Sequence, residues 1–171
     1  MTKLGMILAI VLALTCANAT LSLSQAFGQA VKTNQSAPDT LITLQRGACE
    51  QRCAVYRLMI FADGTVIYDG QYFVRRTGLI KSGISPEVLS KLIHDLEAGG
   101  FFRLENNYGY GNSDRCSSID PGGPVAILSV SNQGRSKTVL HNHSCVGPVP
   151  KQLTDLEDKV DRAAGTVKWI K

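Results

Sequence analysis

The sequence predicts an α+β fold: an antiparallel β-sheet of about five or six strands joined by meander-type hairpins, two helices packed on one face, and disulfides stabilising the whole. Three observations predict it. Ala54 to Phe61 alternates its apolar residues at period two and runs into Asp63-Gly64, a hairpin turn signal. Two segments, one opening at Ser85-Pro86 and the other at Pro148 and Pro150, carry apolar residues at helical spacing. Four cysteines, Cys49, Cys53, Cys116 and Cys145, follow an export signal, a context in which an even number reads as a disulfide framework.

The first 19 residues read as a secretory signal peptide. Lys3 supplies the positive start, Leu4 to Leu14 the apolar run, and Ala17-Asn18-Ala19 the small-x-small cleavage pattern. The run is shorter than the roughly 20 residues that span a bilayer, and no later stretch qualifies as a transmembrane helix. Cys16 raises lipidation, but Ala13-Leu14-Thr15 before it departs from the Leu-small-small pattern that lipidation uses, so the expectation is soluble export to the periplasm or beyond. Residues 20–40 are polar and small and are expected to form a flexible leader. Residues 41–171 form one α+β domain, large enough for a single core. Removing the signal leaves 17 basic against 14 acidic residues, a net charge of +3. The basic residues are scattered and only Arg75-Arg76 are adjacent, which excludes a nucleic-acid footprint.

Each element follows from local signals. Leu41 to Gln45 is a first strand leading to Cys49. In Ala54–Phe61, Tyr56, Leu58 and Ile60 share one face, while Arg57 makes the other the wetter one. Asp63-Gly64 suits a type I′ turn, Thr65 to Tyr68 returns, and Asp69-Gly70 signals a second turn before Gln71 to Val74. A lone hairpin is marginal in water, so this face needs a cover. Ser85 as N-cap, Pro86 at the first helical position and Glu87 in the first turn start a helix. Its stripe is Val88, Leu89, Leu92, Ile93 and Leu96, and Gly99-Gly100 ends it. Phe101 and Phe102 anchor the exit. A long loop from Arg103 to Pro124 precedes two strands, Val125–Ser131 and Lys137–Asn142, joined through Asn132-Gln133-Gly134. The second helix carries Leu153, Leu156, Val160 and Ala163 and stops at Gly165; Val167, Trp169 and Ile170 pack at the chain end.

Four cysteines allow three pairings. Cys49–Cys53 with Cys116–Cys145 is favoured, the first across a single turn, the second tying the long loop to the end of a late strand. In the chain-entropy model the second bridge contributes about 3 to 4 kcal/mol.

Several constellations carry possible chemistry. Tyr108 and Tyr110, separated by Gly109 in the long loop, are the candidate binding residues, set against the plainer reading of a disulfide-pinned surface excursion. On an extended strand His141, His143 and Cys145 share one face, and imidazole and thiolate ligate zinc or copper, with Cys116, Asp114 or Asp120 as further donors. An oxidised Cys145 supplies no thiolate; the export context favours the disulfide, so no metal or other cofactor is expected. Cys49-x-x-x-Cys53 has one residue more than a thioredoxin-type motif and reads as structural. There is no Gly-x-Ser-x-Gly elbow, His-Glu-x-x-His pair or phosphate-cradling loop, and Asp120-Pro121-Gly122-Gly123-Pro124 reads as a turn. No catalytic residue is therefore assigned. His94 lies about 200° around the first helix from Leu92, on the solvent side. Asp155, Glu157, Asp158 and Asp161 read as a solvated acidic cluster suited to the helix dipole.

Cys49-x-x-x-Cys53, Tyr56, the alternating apolars, Asp63-Gly64, Tyr68 and Gly70 together resemble the bacterial "domain of unknown function 6438" family. The Ser85-Pro86 helix, Pro150 to Val160 and Lys168-Trp169-Ile170 follow in the order that resemblance implies, over roughly residues 41 to 170. The resemblance implies an exported α+β domain without an assigned activity. The expected function is a non-enzymatic binding module for a protein, peptide or envelope component. The alternatives are a metal-binding or thiol-dependent protein using His141, His143 and Cys145, and a hydrolase site assembled from distant residues.

Overall fold

The computed structural model describes residues 40–109 and 115–171. Seven strands form one sheet: β1 (Thr40–Arg46), β2 (Val55–Phe61), β3 (Thr65–Tyr72), β4 (Gly78–Gly83), β5 (Asn107–Tyr108), β6 (Val125–Asn132) and β7 (Arg135–Asn142). The helices are α1 (Pro86–Ala98), α2 (Pro148–Ala164) and a short α3 (Val167–Ile170). The strand order is β4-β3-β2-β1-β6-β7-β5, so the first strand lies at the centre, antiparallel to both neighbours.

The fold class is α+β, but the sheet is mixed and has seven strands. The strand expected at Gln71–Val74 is replaced by β4 at Gly78–Gly83, and a further strand, β5, pairs in parallel with β7 inside the segment expected to be loop. Two residues at this position carry no periodicity by which to recognise a strand. Within the expected meander, β3 runs straight through Asp69-Gly70, and the reversal comes at Phe73–Thr77, where Phe73 takes φ +53°. Gly70 serves close approach rather than a turn: a Cβ there would press into the Arg76 carbonyl oxygen and the Tyr68 ring.

The expected type I′ turn does not form at Asp63-Gly64. Asp63 does not adopt a positive φ; Gly64 alone does, at +81°, and its N–H bonds the Phe61 carbonyl at 3.0 Å, a three-residue loop closed by glycine. The Asp63 carboxylate accepts from the Thr65 N–H at 2.8 Å and fixes this turn. The type I′ geometry appears instead at Gln133-Gly134, with φ +49° and +72° between the paired residues Asn132 and Arg135.

The core follows from strand alternation. Ile42 and Leu44 of β1, Tyr56, Leu58 and Ile60 of β2, Val66 and Tyr68 of β3, Ala126, Leu128 and Val130 of β6 and Val139 of β7 are buried in one cluster. Leu89, Leu92 and Leu96 of α1 and Leu153, Leu156 and Val160 of α2 join it. Ser85 caps α1 through its hydroxyl, and Gly165 ends α2 in the left-handed region. Lys159 of α2 reaches Asp95 of α1 at 3.3 Å. Trp169 stacks on Tyr68 with ring centroids 4.8 Å apart, while Val167 stays exposed. Both favoured disulfides, Cys49–Cys53 and Cys116–Cys145, are present. No helix among the described residues is long and apolar enough to cross a membrane.

Gly70→Ala should lower stability by about 1 to 3 kcal/mol, read as a shifted urea midpoint at constant slope. A variant as stable as the parent would show that the β3–β4 backbone yields freely at this point.

Candidate functional site

The register places Tyr56, Arg46, Ala126 and His141 in one row across β2, β1, β6 and β7. Arg46 has the same parity as Ile42 and Leu44, so its side chain projects to the covered face. Ala126 is the small member of the row and leaves room for the longer chains on either side. Above the row, α2 presents Glu157 and, one turn later, Asp161.

These groups form one hydrogen-bonded network. Arg46 donates through Nη1 to Glu157 Oε2 at 2.6 Å and through Nη2 to Asp161 Oδ2 at 2.8 Å and Asp158 Oδ1 at 3.2 Å. Tyr56 donates its hydroxyl proton to Asp161 Oδ1 at 2.7 Å, and Thr166 donates to the same oxygen at 3.0 Å. His141 Nδ1 lies 2.9 Å from Glu157 Oε1. His143, in the turn after β7, places Nε2 2.8 Å from Glu157 Oε2 and 2.9 Å from Arg46 Nη1. A guanidinium only donates, so the contact with Arg46 requires an unprotonated Nε2. Protonated, that nitrogen would donate to Glu157 and lose Arg46. The two rings stack at 4.4 Å.

Glu157 and His141 are wholly buried, at 0% and 1% exposure. Burial by itself would raise the Glu157 pKa, but the imidazoles of His141 and His143 and the charge of Arg46 outweigh it and bring it down to about 2. Burial by itself would lower the Arg46 pKa; Asp161 and Glu157 outweigh it and hold the guanidinium more firmly protonated than usual. Burial and the adjacent Asp161 push the Tyr56 phenol up, so it remains a donor. Three carboxylates thus surround one guanidinium.

A cleft of about 330 Å³ opens beside the network, with Arg46, Tyr56, His143 and Asp161 on its polar side and Ala54 and Ile170 on its apolar side. A larger groove of about 520 Å³ lies at the other end of the sheet, between α1 and the β2–β3 and β6–β7 turns. It gathers no buried ionisable group, and the candidate site is therefore the smaller cleft.

The structure redistributes the expected site residues. Tyr108 is buried at 4% exposure and its hydroxyl accepts from the Glu105 N–H at 3.0 Å, so it is no surface contact; pairing of β5 with β7 turns it inward. Tyr110 and Asp114 lie outside the described residues. Cys145 and Cys116 are bonded to each other and supply no thiolate. Asp120 is exposed and apart from the histidines, its backbone carbonyl accepting from Asn142 and Ser144. His94 is exposed on α1. Glu157 and Asp161 are not solvated helix acids: Glu157 is fully buried, and Asp161 faces Arg46 and Tyr56. The signal for Glu157 was present, because it stands four residues after Leu153 and three before Val160, inside the apolar stripe.

The model of the family described as "Domain of unknown function (DUF6438)" matches residues 40–164, which takes in every strand, α1 and α2. The chain belongs to that family. The matched span contains Arg46, Tyr56, His141, His143, Glu157 and Asp161, so the whole ion network lies within the DUF6438 domain. No curated protein matches the sequence.

Glu157→Gln keeps the shape and removes the charge, taking from Arg46 the carboxylate at 2.6 Å while Asp158 and Asp161 remain, and should cost about 3 kcal/mol at neutral pH. In the parent, the folded-state pKa lies below the usual glutamate value of 4.5, so this stabilisation is complete above pH 4.5 and fades as pH falls toward about 2. Chemical denaturation across pH 2 to 7 should show a loss on the order of 3 kcal/mol over that interval, absent from the variant. Parallel pH profiles for the two proteins would refute it.

Proposed function

We propose that this protein is an exported, disulfide-braced binding module whose ligand occupies the cleft of about 330 Å³ beside Arg46 and His143. The observation that carries the reading is the convergence of Arg46, Tyr56, His143 and Asp161, contributed by separate elements, on one concavity with an apolar wall. Binding is favoured over catalysis because the ionisable groups hydrogen-bond one another, and none is left as a free base aimed at open space. Asp161 lines the cleft, and Glu157 and Asp158 in the network beside it bring the acids to three against Arg46, so the cleft suits an N–H-rich or cationic group, such as an amine of a peptide or envelope component. Two disulfides fit an oxidising compartment, in line with the signal-like first 19 residues.

Short lysine-containing peptides and simple amines, titrated into isotope-labelled protein, should shift the NMR resonances of Tyr56, Val125, His143 and Ile170 first. Ala54→Gln, which fills the cleft without removing a member of the network, should weaken that response about tenfold. Shifts centred on the α1 groove, or binding indifferent to Ala54→Gln, would dismiss the cleft.

A further inference from the structure

We propose that His141, His143 and Glu157 form a binding site for one divalent transition-metal ion of the zinc class, and that Arg46 is the resident cation with which the metal competes. The inference does not rest on the cleft's being a site for an organic ligand, since metal affinity is measured without one.

One donor atom from each of the three side chains lies within 4.8 Å of the other two. Two imidazoles and a carboxylate are the donor set of an open zinc site, which keeps a fourth position for water or ligand. Arg46 Nη1 marks where the ion would sit. It is 2.6 Å from Glu157 Oε2 and 2.9 Å from His143 Nε2, and these two atoms are themselves 2.8 Å apart. An imidazole lone pair and a carboxylate oxygen therefore converge on one cationic group already, as two ligands of a metal do. Donors around a tetrahedral zinc ion stand about 3.3 Å apart, given bonds of about 2.0 to 2.1 Å. The His143–Glu157 pair stands about 0.5 Å inside that spacing and the widest of the three separations, within 4.8 Å, exceeds it by up to about 1.5 Å, differences that side-chain rotation closes. His141 Nδ1, now directed at Glu157 Oε1, becomes a ligand when its ring moves its proton to Nε2, with no net proton lost.

Charge and access point the same way. Glu157, Asp158 and Asp161 carry three negative charges against the single guanidinium. A divalent ion in the place of Nη1 would balance them once the whole guanidinium swung aside, with Asp158 and Asp161, which it already contacts, as its remaining acceptors. The side chain of His143 is 21% exposed and lines the cleft, which supplies the entry path and the open position. Because the guanidinium holds two of the three donors, the affinity of the parent is reduced by competition and rises when Arg46 is removed. A purely structural ion network predicts no such gain.

The test is a zinc titration by calorimetry on the chelator-treated full chain at neutral pH, with both disulfides intact. The parent should take up one zinc per chain. His143→Gln should weaken binding at least about tenfold, His94→Gln should leave it unchanged, and a folded Arg46→Gln should bind several-fold more tightly. Cobalt(II) added to the parent should give visible d–d absorption that His143→Gln abolishes; this decides the matter where Arg46→Gln does not fold. No saturable zinc binding by the parent, equal losses in the His143 and His94 variants, a cobalt spectrum indifferent to His143, or a folded Arg46→Gln variant no tighter than the parent would each overturn the proposal.

Discussion

A carboxylate with no access to water governs this structure. Placing Glu157 on the buried stripe of α2 costs several kcal/mol unless its charge is matched and its lone pairs are occupied. The compensation comes from two places, Arg46 at the end of β1 and His141 at the end of β7, while His143 just beyond it holds the Arg46 guanidinium. This requires β1 to lie beside β6 and β6 beside β7, in the register that puts Arg46 and His141 on either side of Ala126. A shift of β1 by one residue would turn Arg46 to the opposite face and leave Glu157 buried without its guanidinium. The ion network thus ties α2 to the central strand and penalises other registers. The apolar core, whose side chains are more interchangeable, does that less sharply.

Much of the fold was legible because its signals are local. The period-two faces of β2, β6 and β7, the Ser85-Pro86 cap and the stripes of α1 and α2 all depend on near neighbours in sequence. The failures came where a long-range contact decided the outcome. Gly70 looks like a turn residue until the Arg76 backbone is placed against it. Asn107–Tyr108 becomes a strand only because β7 offers a free edge, and that pairing buries a tyrosine expected at the surface. Asp63-Gly64 forms a three-residue loop and Gln133-Gly134 the type I′ turn because flanking strand geometry, not dipeptide preference alone, selects among the hairpin loops.

The site was half legible. His141 and His143 stood out by their spacing, but the third partner expected beside them, Cys145, is oxidised, and the true third partner is Glu157, on a different element. Acidic residues in a helix were expected at its solvated start, but α2 begins at Pro148 with no acid in its first turn, and Glu157 lies mid-helix within the buried stripe. Parity along β1 would have turned Arg46 inward. A buried arginine then calls for buried acids, and Glu157 with Asp161, one helical turn apart, is the pair in α2 that can meet it. Complementary buried charges are thus recoverable from two amphipathic patterns read together, though from neither alone.

The two disulfides lie at the same end of the molecule as the ion network. Cys49 follows Arg46 by three residues and bonds Cys53, which precedes Tyr56 by three, so this bridge closes the connection between the two strand residues that donate to Asp161. Cys145 follows His143 by two residues and fixes the turn that carries it to the segment at Cys116. Both crosslinks therefore restrain backbone leaving the cluster, while the opposite end of the sheet, with its turns at Asp63-Gly64 and Gln133-Gly134, has none. Held in this way, the donors facing the cleft are already in place before anything binds, and a ligand or ion there would pay little to order them. The covalent restraint and the buried charges serve one geometry, which makes this end the part of the domain best prepared to act on something else.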